Sequence, residues 1–149
     1  MKLENEIKQQ KFKTEYQKLV VNIMYTANWL NDVVAQSMKG YEISPEQYNI
    51  LRILRGRYPD PATVNILMER MLNKTSNVSR LVEKLRKKNL VERKICKEDR
   101  RACDIIITKR GLDLLAELDK EEQNWDSNVS VLSVREAREI NGLLDKLRG

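Results

Sequence analysis

The hydrophobic residues of this chain recur first with the period of a helix and only later with that of a strand. Between residues 10 and 38 they return every three or four positions, which predicts a long amphipathic helix. Val21, Tyr25 and Trp29 add a second apolar face to it. One small domain cannot cover both faces, so we expect part of this helix to pack against another subunit.

Three shorter helices are predicted next. Ser44 followed by Pro45 is typical of a helix start, because serine caps the first turn and proline fits its first position. Apolar spacing then indicates a helix over 63–71 and another over 75–88, separated by the turn 72–74. Two short helices joined by a tight turn form the helix-turn-helix pattern. By itself the pattern is weak, since helical hairpins are common.

After residue 88 the spacing of apolar residues changes to that of strands. Two β-prone runs, 90–95 and 105–108, enclose a charged loop and predict a hairpin with a basic tip. Two further helices are predicted, over 109–128 and from a capping box at Ser133 to about residue 148. The expected fold is therefore mainly α, with one small β-hairpin.

Composition excludes several kinds of chemistry. The chain has no histidine, which removes the commonest general base and histidine-based metal sites, and it has no glycine-rich phosphate loop. We therefore expect no enzyme activity, no metal and no cofactor. Only two cysteines occur, and we find no signal peptide and no apolar run of membrane-spanning length, so the expected location is the cytoplasm, away from membranes.

Positive charge is concentrated in one quarter of the chain. Residues 74–110 hold thirteen lysines and arginines against five acidic residues, whereas the remainder holds fifteen against seventeen. A basic segment between near-neutral helices is typical of a site for a polyanion, most often nucleic acid. Charge alone leaves a solvated basic helix equally open.

The helix over 75–88 has the polar face that a DNA recognition helix needs. At 100° per residue its apolar stripe leaves short polar side chains at the N-terminal end and cations further along. Arg80 is the candidate for a guanine contact and Asn77 for adenine, while Glu83 either accepts from cytosine or pairs with Lys87. The predicted contacts of this segment are Lys74, Thr75, Ser76, Asn77, Ser79, Arg80, Lys84 and Lys87. The alternative is an exposed face with ordinary salt pairs.

The hairpin tip carries two adjacent arginines far from any core. Guanidinium groups gain from the negative potential of a narrow minor groove, and Asp99 can hold Arg101 extended before DNA arrives. The predicted wing contacts are Lys97, Asp99, Arg100 and Arg101. A solvated, charge-rich turn is the alternative.

These segments together resemble the MarR family of transcription regulators. The run Ser76-Asn77-Val78-Ser79-Arg80-Leu81-Val82-Glu83-Lys84-Leu85 looks like that family's recognition helix. The run Asp99-Arg100-Arg101-Ala102-Cys103-Asp104-Ile105-Ile106-Ile107-Thr108 is similar to its wing pattern, and Thr108 to Gly111 match the start of the next helix. Asn89 stands where the family usually has glycine, which asparagine tolerates because it visits the left-handed region.

The resemblance implies a winged helix-turn-helix protein with N- and C-terminal dimerisation helices. In this interpretation residues 1–149 form a single domain, in which 44–108 bind DNA while 10–40 and 109–149 interlock two copies. The resemblance also gives Arg101 the role of the wing arginine and Asp99 that of its partner. The dimer would place helix 75–88 in the major groove and wing 96–103 in the minor groove of a pseudo-palindromic operator.

The sequence also contains two candidate effector sites. Tyr25, Trp29, Tyr41 and Tyr48 could line a cleft for a small aromatic molecule, although aromatic residues at helical spacing more often belong to a core. Cys96 and Cys103 could form a redox-active pair across the hairpin or remain unremarkable thiols.

Three function classes follow. A ligand-responsive, sequence-specific regulator, acting as a repressor, comes first, and the others are a non-specific architectural DNA-binding protein and a winged-helix module for protein interaction.

Overall fold

The computed structural model describes the backbone of residues 1–95 and 103–149, and the side chains within these ranges except at positions 95, 103 and 121–127. The described chain divides into two compact units, Met1–Pro45 and Glu46–Gly149.

The N-terminal unit is built on one long helix. It contains α1 (Leu3–Glu6), α2 (Glu15–Ser37) and a 3₁₀ turn over Lys39–Tyr41. The predicted long helix is confirmed, but it begins five residues later, because the Thr14 hydroxyl accepts from the backbone N–H of Gln17 at 3.1 Å and caps it there.

The short helix α1 was not predicted. It is tied to α2 by two polar contacts, since Lys18 Nζ lies 2.6 Å from Glu4 Oε1 and the Tyr25 hydroxyl donates to Glu6 Oε2 at 2.8 Å. Four residues are too few to show a helical period, so such contacts rather than local pattern define this element.

The second unit follows the predicted order of helices, hairpin and helices. It comprises α3 (Pro45–Arg55), α4 (Val64–Arg70), α5 (Val78–Lys87), β1 (Val91–Ile95), β2 (Cys103–Ile107), α6 (Lys109–Val129) and α7 (Val134–Arg148), with α3 beginning at the unit boundary. The predicted caps of the later helices are confirmed. Thr108 Oγ1 accepts from Gly111 N at 3.1 Å, and Ser133 and Glu136 form the capping box of α7.

The core of this unit draws side chains from every element between α3 and α6. Those with no more than 3% exposure include Leu51, Leu54, Leu67, Val82, Leu85, Val91, Ile105, Ile107, Leu115 and Leu118. Burial of each such side chain contributes about 1.5–3 kcal/mol, so this cluster fixes the helix-turn-helix segment against the hairpin.

The hairpin is antiparallel, with register running from Val91 opposite Ile107 to Ile95 opposite Cys103. It is anchored to the segment before α4, because Ala62 and Ile105 exchange two backbone hydrogen bonds of 2.9 Å. The strands are thereby held in a fixed relation to the helix-turn-helix.

Candidate nucleic-acid interface

Helix α5 turns one face to the core and the opposite face to solvent. Val78, Val82 and Leu85 are buried, whereas Arg80 and Lys84 are exposed. The exposed side chains leave the helix on the side away from the core, as the 100° spacing predicts.

The start of α5 differs from the prediction. The sequence placed the first helical residue at Thr75, but the helix begins at Val78 and Asn77 is its N-cap. Asn77 Oδ1 accepts from the backbone N–H of Arg80 at 3.0 Å, and Asn73 Oδ1 accepts from Thr75 N at 3.0 Å and from its hydroxyl at 2.7 Å. Two asparagines thus hold residues 73–77 in a turn, since their side chains compete with helical hydrogen bonds.

The cap changes what Asn77 can offer to a ligand. Its carbonyl oxygen already serves the helix, so the amide NH₂ is the part of the side chain best placed to contact another molecule. Lys74, three residues before Asn77 in the same turn, donates a hydrogen bond from Nζ to the backbone carbonyl of Glu69. Two predicted contact residues are therefore positioned by bonds within the protein.

A groove of about 290 Å³ runs along the N-terminal half of α5. Residues from α5 and the turn before it form one side, and Glu46, in the first turn of α3, also lines it. The lining residues are Glu46, Ser76, Asn77, Arg80, Leu81 and Lys84. Four of the predicted recognition residues are therefore brought together. Ser79 and Lys87 are exposed on the same helix but do not line this groove.

Glu83 pairs with Arg86 rather than with Lys87, which was one of the two alternatives that the sequence left open for it. Arg86 Nε donates to Glu83 Oε2 at 3.0 Å and its terminal nitrogen to Oε1 at 2.8 Å. This bidentate contact is the main reason that the pKa of Glu83 lies below its ordinary value, with Lys87 and Arg93 adding to the effect. The guanidinium group matches both carboxylate oxygens, which a single ammonium group cannot do.

The base of the wing is closed by hydrogen bonds. Asn89 has φ of 58°, which confirms the left-handed conformation expected there. The Thr108 hydroxyl donates to the Asn89 carbonyl at 2.8 Å, and Thr108 N donates to the carbonyl of Leu90 at 3.1 Å. Gly111 lies against this junction, and a Cβ there would come within 2.4 Å of the Leu90 carbonyl oxygen. The direction in which the hairpin leaves α5 is thus fixed.

The tip of the wing lies outside the described residues. Lys97, Asp99, Arg100, Arg101 and Cys96 all belong to 96–102, and their roles stay predictions. Cys103 begins β2 and pairs in register with Ile95, and the redox pair with Cys96 also stays a prediction.

A second cationic surface was not singled out from the sequence. Arg86, Arg93, Lys109 and Arg110 border a groove of about 630 Å³ beside the base of the wing, together with Glu92. These cations are part of the positive charge concentrated in segment 74–110, but only the fold shows that they border a different groove from the one along α5.

The four aromatic residues of the predicted effector cleft are divided between the two units. Tyr25 bonds to Glu6 within the first unit, which also contains Trp29 and Tyr41. Tyr48 belongs to the second unit, where it is buried, with the guanidinium carbon of Arg52 5.8 Å from its ring centroid. The cleft stays a prediction.

Within the described ranges no three Cys, Asp or Glu residues cluster in a way that could hold a metal ion. No helix of the described chain is long and apolar enough to cross a membrane.

The fold places this protein among the winged helix-turn-helix proteins. The model of the MarR family matches residues 43–103, the segment that holds the helix-turn-helix and most of the wing. Residues 43–103 of this chain are therefore similar to the MarR family, which confirms the resemblance read from the sequence.

Individual relatives extend the likeness to most of the chain. The HTH-type transcriptional regulator MhqR of Bacillus subtilis is 24% identical over 131 residues, which are 87% of this chain and 89% of MhqR. Among solved structures, the MepR–DNA complex of S. aureus has a TM-score of 0.78 at 22% identity, covering 92% of this chain and 97% of MepR. BpsR of Bordetella bronchiseptica, whose DNA binding is regulated by 6-hydroxynicotinic acid, has a TM-score of 0.77 at 19% identity, covering 89% and 99%.

Proposed function

We propose that this protein is a homodimeric transcription regulator that binds a pseudo-palindromic DNA operator and represses the adjacent genes. The observation that carries the proposal is the groove along α5, where Arg80 and Lys84 lie beside Ser76 and Asn77. The N-terminal side chains would meet base edges in the major groove, and the cations would reach guanine or phosphate. The chain resembles MhqR, which is a transcriptional regulator, and MepR, whose structure has been solved in complex with DNA.

Dimerisation is supported by apolar side chains that one copy leaves uncovered. Every residue of α2 and of α7 keeps solvent exposure, and Val20 and Met24 on α2 are 57% and 62% exposed. On α7, Leu143 and Leu147 are each 60% exposed. Helices with such uncovered faces are stable when another surface buries them, and a second copy would also supply the second recognition helix of a palindrome.

The wing is proposed to enter the minor groove through Arg101, with Asp99 orienting it. The anchored hairpin supports this role, because the hydrogen bonds between Ala62 and Ile105 hold its strands against the helix-turn-helix. We propose that the protein acts in the cytoplasm. A small aromatic effector bound near Tyr25, Trp29, Tyr41 and Tyr48 would modulate it, as 6-hydroxynicotinic acid regulates BpsR.

The test is selection of bound duplexes from a random DNA pool, followed by affinity measurements on Arg80→Ala and Arg110→Ala. Both changes remove one cation, but Arg110 lines the groove beside the wing and not the one along α5. A base contact by Arg80 predicts that only its loss relaxes the preferred sequence, at a cost of about 1–3 kcal/mol in binding to that sequence.

Other outcomes would favour other functions. Equal affinity for all duplexes would indicate an architectural protein, and no affinity at moderate salt would indicate a protein-interaction module. Arg101→Ala should weaken binding in the first two cases and have no consequence in the third.

A further inference from the structure

The groove along α5 contains one acidic residue, Glu46. It belongs to the first turn of α3, thirty positions before Ser76 in the sequence, and only the fold brings it to the recognition surface. Its side chain is half-buried and already takes part in an interaction within the protein. A carboxylate has about four acceptor positions on its two oxygens, so an internal contact and a base contact are chemically compatible.

A carboxylate on a DNA-facing surface has a cost and a use. It repels the phosphates of every duplex alike, which lowers affinity irrespective of sequence. That cost is offset only where a base presents a hydrogen-bond donor in the major groove, and the exocyclic amino groups of cytosine and adenine are the donors there. An acid in this position therefore favours some sequences by penalising all the others.

The other side chains of the groove cannot fill this role as well. Arg80 and Lys84 have donors only, and the Oδ1 atom of Asn77 is used by the helix cap. Ser76 offers a neutral hydroxyl, whose hydrogen bonds are weaker than those of an anion. Among the described residues that line the groove, Glu46 is the only anionic acceptor.

We infer that Glu46 is a specificity-determining residue of the DNA interface, whose carboxylate accepts a hydrogen bond from the exocyclic amine of a cytosine or adenine in the operator. This inference rests on the proposed function. It assigns base discrimination to α3, the helix that precedes the helix-turn-helix, as well as to α5.

The test compares Glu46→Ala with Glu117→Ala, which removes the same charge and the same side chain from the exposed surface of α6. Alanine is used because the amide oxygen of glutamine could still accept the hydrogen bond. Dissociation constants are measured for the duplex that the wild type selects and for a scrambled duplex of the same composition. We expect Glu46→Ala to bind the scrambled duplex more tightly and to lose about tenfold in discrimination, since one lost base contact is worth roughly 1.4 kcal/mol or more. Glu117→Ala should keep the wild-type ratio.

A second measurement uses the wild-type protein and changes the DNA. Each cytosine and adenine of the selected duplex is replaced in turn by an analogue without the exocyclic amine. One position should lose about tenfold in affinity with the wild type and nothing with Glu46→Ala.

Several results would overturn the inference. Equal shifts for both duplexes, or the same shift in Glu117→Ala, would reduce the effect of Glu46 to bulk charge. A lower melting temperature with unchanged discrimination would make Glu46 structural, and the absence of any amine-dependent position in the wild type would exclude the base contact. If the wild type bound no duplex, the proposed function would fail and this inference with it.

Discussion

Gly111 holds the junction between the wing and α6, and its replacement by alanine should destabilise the fold. The added Cβ would lie 2.4 Å from the Leu90 carbonyl oxygen and 2.7 Å from Ile107 Cγ1, well inside the usual contact distance of about 3.5–4.0 Å. The carbonyl cannot easily withdraw, because it accepts the hydrogen bond from Thr108 N that closes the base of the wing.

Overpacking of this kind costs about 1–3 kcal/mol, and an approach of 2.4 Å to a backbone oxygen places the cost at about 2–3 kcal/mol within that range. The better helix propensity of alanine recovers about 0.5–1 kcal/mol of it. We therefore expect Gly111→Ala to lower the free energy of unfolding by about 1–2 kcal/mol, or roughly 2–8 °C in melting temperature for a chain of this size. Denaturant titration at one fixed protein concentration measures this, since a dimer's stability depends on concentration.

Gly56→Ala is the matched control in the same unit. A Cβ there would meet the Arg52 carbonyl oxygen at 3.5 Å, an ordinary contact, so the change should be neutral or stabilising by about 0.4–1 kcal/mol. Equal stability of the two variants would refute the argument that backbone approach at Gly111 sets the angle of the wing.

Other parts of the second unit give three further predictions. Asn77→Ala should cost about 1 kcal/mol by removing the cap of α5, while Asn77→Asp should retain most of the stability; equal losses would contradict the cap. The free energy of unfolding should fall as the pH drops below 4.5, because hydrogen bonds lower the pKa of Glu83 and Glu136 in the folded state. The unfolded chain therefore takes up protons at a higher pH than the folded chain does. A free energy of unfolding that stayed constant in an acid titration to pH 3 would contradict this. Arg55 and Asp119 lie 2.7 Å apart but are about one-third and two-fifths exposed, so a double-mutant cycle should give a coupling of only about 0.2–1 kcal/mol, and a value several times larger would show that solvent does not screen the pair.

The architecture of the chain was largely predictable, because its elements are long enough to show a period and carry strong caps. The capping box at Ser133 and the left-handed Asn89 are local features, and local sequence determined both. The start of α5 could not be predicted from local sequence, because Thr75, Ser76 and Asn77 are all good N-caps and packing of Val78 into the core selects among them.

The candidate site was predicted only where it follows a single helix. Arg80 and Lys84 could be found from α5 alone, but Glu46 could not, since its place in the groove depends on where the fold puts the start of α3 relative to α5. The ion-pair partner of Glu83 could not be predicted from the sequence either. Arg86 and Lys87 are both within reach of Glu83 by spacing, and only the geometry of the guanidinium group favours Arg86.

The central claim is that two copies of one cationic helix and hairpin read one DNA site together. Its most direct test is titration of a selected duplex with the protein across a series of salt concentrations. The mass of the complex is measured at the lowest and at the highest salt concentration. The account predicts two chains per duplex and an affinity that falls steeply and log-linearly as salt rises, with preference over scrambled DNA by a factor of about 10³ or more. A single chain on the duplex, or binding indifferent to sequence at low ionic strength, would contradict it.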